Sequence, residues 1–351
     1  MSPMLAILLR QISRFGPMSV AEYMTQCLLH PTQGYYTNTD PIGAQGDFIT
    51  APEISQMFGE VIGLCLAQTW LDQGAPDPFC LAELGPGNGT LMQDILRATK
   101  SVPQFHHAMR IHLIEASPTL RQRQKECLAD FEVSWGDNIA ELPDLPLYLV
   151  ANEFFDCLPV RQFRKTDKGW QEQMIGAEGE HLHFVLGGLA PDGMFPDRLR
   201  DSMIEISPSA TALCAAIADH IAALSGAALI IDYGTWGEMG DSFQAIKGQK
   251  KISPLADPGR ADLTAHVNFR TLADAAQSKA QVSELVPQGL LLERLGITQR
   301  AQSLAQNMRP QELEAHISAH RRLTHPEEMG QLFKALAITP RGSKQPAGFS
   351  E

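Results

Sequence analysis

Two groups of residues in this sequence have types and spacing suited to chemistry. The first is Glu83-Leu84-Gly85-Pro86-Gly87-Asn88-Gly89, an acid two residues ahead of three alternate glycines. The second is Asn152-Glu153-Phe154-Phe155-Asp156, two carboxylates and an amide set among apolar residues. Alternate glycines bare the backbone amides and let a chain approach a ligand closely, which suits the charged tail of a nucleotide-like molecule. Carboxylates among apolar neighbours are costly to bury alone, so they invite a cationic acceptor. A glycine turn that only closes a strand–helix corner is the plainer alternative.

The flanking elements must bring these groups together. Residues 79–84 form a short apolar run that ends abruptly, as a buried parallel strand does. Residues 90–96 resume with apolar side chains at helical spacing, so the glycines sit beyond a strand's carboxyl end and at a helix start, where open parallel sheets bind ligands. The dinucleotide fingerprint G-x-G-x-x-G needs glycine at position 90, where Thr90 stands, and this opposes a nicotinamide oxidoreductase. The acid followed by G-x-G-x-G is instead similar to the turn of class I S-adenosylmethionine methyltransferases.

A second strand, 110–115, ends in Glu115, placed either to accept from both hydroxyls of a ribose or to cap the helix predicted over 118–129. A third, 132–135, leads to Asp137-Asn138, which serves an adenine edge or simply makes a turn. The fourth, 147–151, runs straight into Asn152 and aims Asn152, Glu153 and Asp156 at the same crevice as the glycines. Asp232, after a strand at 227–231, adds one more acid to that rim.

The bulk properties are those of an ordinary globular chain. The 351 residues are 44% hydrophobic and 19% charged, with a formal net charge of −12. That charge argues against a broad phosphate-binding surface, and no nucleic-acid motif occurs. Six scattered cysteines without a C-x-x-C pair read as buried thiols in a reducing compartment. No apolar run reaches the ~18 residues of a membrane span. The N-terminal Met4–Leu9 stretch lacks a basic region before it and suits an amphipathic helix, which sets the expectation of a cytoplasmic protein.

The remaining chain divides by pattern. Residues 1–75 read as a helical N-terminal and lid region, and 76–235 as a Rossmann-like core. Short alternating strands at 160–164, 170–175 and 181–186 extend its sheet in antiparallel fashion. Residues 236–340 read as a loop and a mainly helical cap that either covers the crevice or pairs subunits as a homodimer, and 341–351 as a flexible tail. Tyr35 and Tyr36 are core fillers or parts of a lid; burial statistics favour fillers. His316, His320 and His325 lack metal-site spacing and read as a solvated helix face.

Several motifs jointly resemble the MidA-like family: Pro31-x-x-Gly34-Tyr35-Tyr36, the block from Gly46 to Glu60, the glycine turn, Ala151–Asp156, Ile231–Gly234 and Asp262–Val267. That family includes the mitochondrial complex I assembly factor that acts as a protein-arginine methyltransferase. The resemblance implies a class I methyltransferase fold, S-adenosyl-L-methionine as cofactor, and symmetric dimethylation of an arginine on a complex I subunit in mitochondrial members. With that cofactor the candidate binding residues are Glu83, Gly85, Gly87, Gly89, Glu115, Asp137, Asn138 and Thr50, and the resemblance moves Tyr35, Tyr36 and Phe48 towards a lid. Asn152, Glu153 and Asp156 become the candidates that meet a substrate guanidinium. Without a mitochondrial presequence in view, the chain resembles a bacterial member. A non-catalytic assembly factor on the same scaffold is the alternative, opposed by the ligand-ready turn.

Overall fold

Where short apolar stretches end in a turn and a helix, as after Leu84 and Ile114, parallel pairing is the arrangement that buries them on both faces. The computed structural model, which describes residues 1–38, 49–237, 240–306 and 308–350, shows this sheet. The chain separates into two compact units.

One unit comprises Ile49–Phe155, Ala212–Trp236 and Phe269–Glu351. It opens with two helices, α1 (Ala51–Ile54) and α2 (Gln56–Asp72). There follow β1 (Phe79–Leu84), α3 (Thr90–Thr99), β2 (Met109–Ile114), α4 (Pro118–Cys127), β3 (Val133–Gly136) and β4 (Leu147–Asn152). After the second unit's insertion come β5 (Gly226–Thr235) and, much later, β6 (Phe333–Thr339). The order across the sheet is β6-β5-β4-β1-β2-β3, with β5, β4, β1, β2 and β3 parallel to their neighbours and β6 antiparallel to β5. The order reverses between β1 and β4, which pair through Leu84 and Ala151. Open α/β sheets hold ligands beyond the strand ends at such a switch point.

The sheet is fixed from behind by aromatic packing. Trp70 of α2 lies with its ring 5.5 Å from that of Phe79, and Phe79 lies 5.3 Å from Tyr148, edge to face. Ser55 caps α2, its hydroxyl accepting the Met57 amide. The buried Glu60 of α2 takes bonds from Arg97 and Arg300, tying α2 to α3 and to the helix Ile297–Ala305. Burial pushes the Glu60 carboxyl up, but the two guanidinium groups outweigh it and hold it below its ordinary value.

The other unit comprises Met1–Phe48, Asp156–Thr211 and Gly237–Asn268. Its helix Pro3–Phe15 stops at Gly16, whose φ of +87° a side chain would resist, and Ser19 with Glu22 forms a capping box on Val20–Leu29. Arg161–Thr166, Gly169–Glu178, His181–Leu189 and Met203–Ile206 pair with Met18–Ser19 in a separate antiparallel sheet.

Several expectations change. The alternating strands do not extend the core sheet but build this second one, because Met18 and Ser19 supply a partner at Ile175 and Met174 that local pattern does not reveal. The units therefore interleave along the chain instead of following at 75, 235 and 340. The C-terminal part is not only a helical cap: β6 is a buried strand of the core sheet. The tail is packed as well. Phe349 lies in the hydrophobic core, and the Gly348 carbonyl accepts from Arg294. His316 and His320 are not a bare solvated face, since they bond the Ala301 carbonyl and Thr298. Among the described residues no cluster of three or more candidate metal ligands occurs, and no helix is long and apolar enough to cross a membrane.

Candidate active site

The glycine turn leaves β1 with a backbone only glycine takes easily. Gly85, Gly87 and Gly89 have φ of +62°, +54° and +87°. At Gly85 a Cβ would also stand 2.6 Å from the Phe154 ring, so space and torsion both exclude a side chain. The Gly85 amide donates to the Ile114 carbonyl at 3.0 Å, which brings the turn against the end of β2.

Two acids lie beneath it. Glu83, 3% exposed, is pushed up to about 8 by burial and then by the charge of Glu115, against a hydrogen bond from the Met92 backbone. Its Oε2 is buried with no hydrogen-bond partner among the described residues. Glu115 is also raised, by burial first, against bonds from Ser117 and Gln124. The Ser117 amide donates to Oε1 at 2.9 Å and Gln124 Nε2 to Oε2 at 3.1 Å.

Beside the turn, β4 delivers Asn152 and Glu153. Asn152 is buried, and its Oδ1 has no hydrogen-bond partner among the described residues. Glu153 holds a left-handed φ of +51°, a conformation that costs a non-glycine residue on the order of 1 kcal/mol. Its Oε1 accepts the Ala51 amide at 2.8 Å and Asn152 Nδ2 at 3.1 Å, so this carboxylate anchors α1. Asp232 is not on the rim. It is fully buried within β5, where Oδ2 accepts the amides of Phe154 and Phe155 at 3.1 and 2.8 Å.

The structure thus gathers Glu83, Gly85, Gly87, Gly89, Glu115, Asn152 and Glu153 around one switch point. Thr50 lies at the N-cap of α1 without a side-chain cap bond. Asp137 and Asn138 are engaged in their own turn: Asp137 pairs with Arg121, and Asn138 bonds Glu141 and the Ala140 amide. Asp156 falls in the other unit, where its carbonyl accepts the Ala265 amide; the Tyr36 hydroxyl there is raised by burial first and then by the charges of Asp262 and Asp156. Tyr35 is 1% exposed in that unit's core, as the filler reading expects. The Tyr36 hydroxyl donates to Asp262 at 2.9 Å. Residues 46–48, with the lid reading of Phe48, lie outside the described residues.

Two residues escaped sequence reasoning. Glu53 of α1 reaches the glycine turn, its Oε1 accepting Thr90 Oγ1 at 2.7 Å and Asn88 Nδ2 at 3.2 Å. Gln124 of α4, fully buried, donates to the Gly87 carbonyl at 2.8 Å as well as to Glu115. The one signal for Glu53 is its place inside the Gly46–Glu60 block; nothing local marks Gln124.

Three left-handed glycines, the unpartnered Asn152 oxygen and a buried Glu83 carboxyl that a bound cation would draw into its ionised form fit a ligand that brings donors and a positive charge. Residues 61–288 match the model of the S-adenosyl-L-methionine-dependent methyltransferase family. The chain belongs to that family. A methyltransferase of this kind uses S-adenosyl-L-methionine as its cofactor. Among solved structures, a Burkholderia thailandensis protein bound to S-adenosyl-homocysteine superposes with a TM-score of 0.85 at 26% identity, over 98% of this chain and 93% of that one. The bovine mitochondrial protein arginine methyltransferase NDUFAF7 is 36% identical over 97% of this chain and 84% of its own. The Drosophila melanogaster homologue is 36% identical over 93% and 82%. These curated relatives are named mitochondrial, which overturns the expectation of a bacterial cytoplasmic protein.

Proposed function

We propose that this methyltransferase alkylates a guanidinium nitrogen of arginine in a protein substrate. The observation that carries the reading is the Asn152–Glu153 pair beside the glycine turn, with Asn152 Oδ1 buried and unpartnered among the described residues. Arginine offers five N–H donors and no acceptor, so an acceptor-rich corner suits it. The relatives named protein arginine methyltransferase support the same acceptor.

S-adenosyl-L-methionine supplies an electrophilic methyl group when bound. Gly85, Gly87, Gly89 and Glu83 are proposed to hold its amino-acid end, and Glu115 its ribose. A guanidinium stays charged (pKa above ~12) with delocalised lone pairs, so it is a poor nucleophile. Glu153 draws that charge onto the far nitrogens and leaves the near one electron-rich, while Asn152 orients the plane. The guanidinium sheds one proton on methylation and keeps its charge, so Glu153 faces a cation before and after. The motif resemblance makes a complex I subunit the first acceptor to try and symmetric dimethylarginine the first product to seek.

Transfer of labelled methyl groups to arginine- and lysine-containing proteins, read by mass spectrometry, tests this. Methylarginine is expected, and Glu153→Gln should slow it about 100-fold while cofactor-product binding stays within about twofold. The glutamine keeps an acceptor for the Ala51 amide, so the loss reports charge. Asp156→Asn is a separate variant because that residue belongs to the other unit. Methyl groups found only on other acceptors, or full activity in Glu153→Gln, overturn the reading.

A further inference from the structure

We propose that Gln124 is a positioning residue that makes the site selective for a ribose with both hydroxyls. The inference rests on the cofactor reading above. Gln124 sits on α4, fully buried, and its amide makes three bonds to three different elements. Nε2 donates to the Gly87 carbonyl at 2.8 Å and to Glu115 Oε2 at 3.1 Å. Oε1 accepts the indole Nε1–H of Trp135 at 2.9 Å.

The indole nitrogen is a donor only, and the two other partners are acceptors only. A flipped amide would set N–H against N–H and oxygen against oxygen, so Trp135 on β3 decides which way the amide faces. Glu115 is pinned at Oε2 by Gln124 and at Oε1 by the Ser117 amide. A carboxylate held at both oxygens cannot turn its plane, and a fixed plane is what simultaneous acceptance from two vicinal hydroxyls requires. The bond to Gly87 locks the glycine turn to the same amide. Turn, carboxylate and β3 are therefore tied through one amide.

The test is calorimetric binding of S-adenosyl-L-homocysteine and of its 2′-deoxy counterpart to the wild type, Gln124→Met and Trp135→Phe. The methionine keeps the volume and removes the amide; the phenylalanine removes one donor from a half-buried site. Wild-type protein should prefer the ribose form by about 10-fold or more, a difference of one hydrogen-bonded group. Both variants should lose most of that preference, chiefly by weaker binding of the ribose form. An equal loss for both ligands means that Gln124 only supports the fold and overturns the inference, as does unchanged preference in a folded Trp135→Phe. If the wild type binds neither ligand, the cofactor reading falls first and the inference with it.

Discussion

The carboxylate of Asp232 accepts the backbone amide of Phe155 at 2.8 Å, and that of Phe154 at 3.1 Å through the same oxygen. The interior of β5 is thereby stitched to the turn that follows β4. An acid that the sequence sets on the rim is in truth the support of the turn that presents Glu153. Asp232→Ala should cost about 2–4 kcal/mol, since it strips a buried, charge-assisted pair of bonds. Hydrogen exchange checks the cause: the Phe154 and Phe155 amides should lose protection more than those of β2.

Glu53 and Thr90 form the clamp between α1 and the glycine turn. Glu53→Ala and Thr90→Val should each weaken S-adenosyl-L-homocysteine binding by about 5- to 10-fold, the worth of one hydrogen bond. The double variant should bind no more weakly than Glu53→Ala, because Glu53→Ala already removes the contact that Thr90→Val breaks. Isothermal titration of the four proteins gives the coupling; simple additivity would contradict the clamp.

Gly85→Ala should destabilise the protein by about 2–4 kcal/mol, combining a left-handed φ with a Cβ only 2.6 Å from the Phe154 ring. Adding Phe154→Leu relieves the clash and leaves the torsional part. Urea denaturation should therefore show partial recovery in the pair.

Glu83 ties stability to pH. Its folded carboxyl titrates at about 8 against an ordinary 4.5, so the folded state holds a proton that the unfolded chain has lost. This contribution is complete below pH 4.5 and declines as pH rises through 8, by up to about 1.4 kcal/mol per pH unit. Asp94, raised to about 6 by burial, acts with the same sign over a lower window. Without added ligand, Glu83→Gln should flatten the fall in melting temperature between pH 6.5 and 8.5. Identical slopes in the two proteins would mean that Glu83 is already ionised.

The core around the glycine turn was legible because its signals are local. An apolar run at Phe79–Leu84, three glycines and the acid ending the next strand lie within a short span, and the switch point puts Asn152 beside them. What stayed hidden depends on distant partners. The separate sheet needs Met18 beside Ile175, and β6 needs the buried edge of β5; alone, Phe-Lys-Ala-Leu-Ala-Ile-Thr fits a helix equally well. Gln124 reads as one more polar residue on a charged helix until Trp135, Gly87 and Glu115 close around it. Tyr35 packs in the core of its own unit, as burial statistics for a tyrosine expect.

The place of β6 in the sheet bears on biosynthesis. β5 offers its open side to β6, and Phe349 completes the packing beneath. Both segments emerge from the ribosome long after β1 to β5, so the nascent chain carries an unmated apolar ladder through much of translation. Chaperone binding to the nascent chain should persist until the segment from Phe333 to Phe349 has packed against β5.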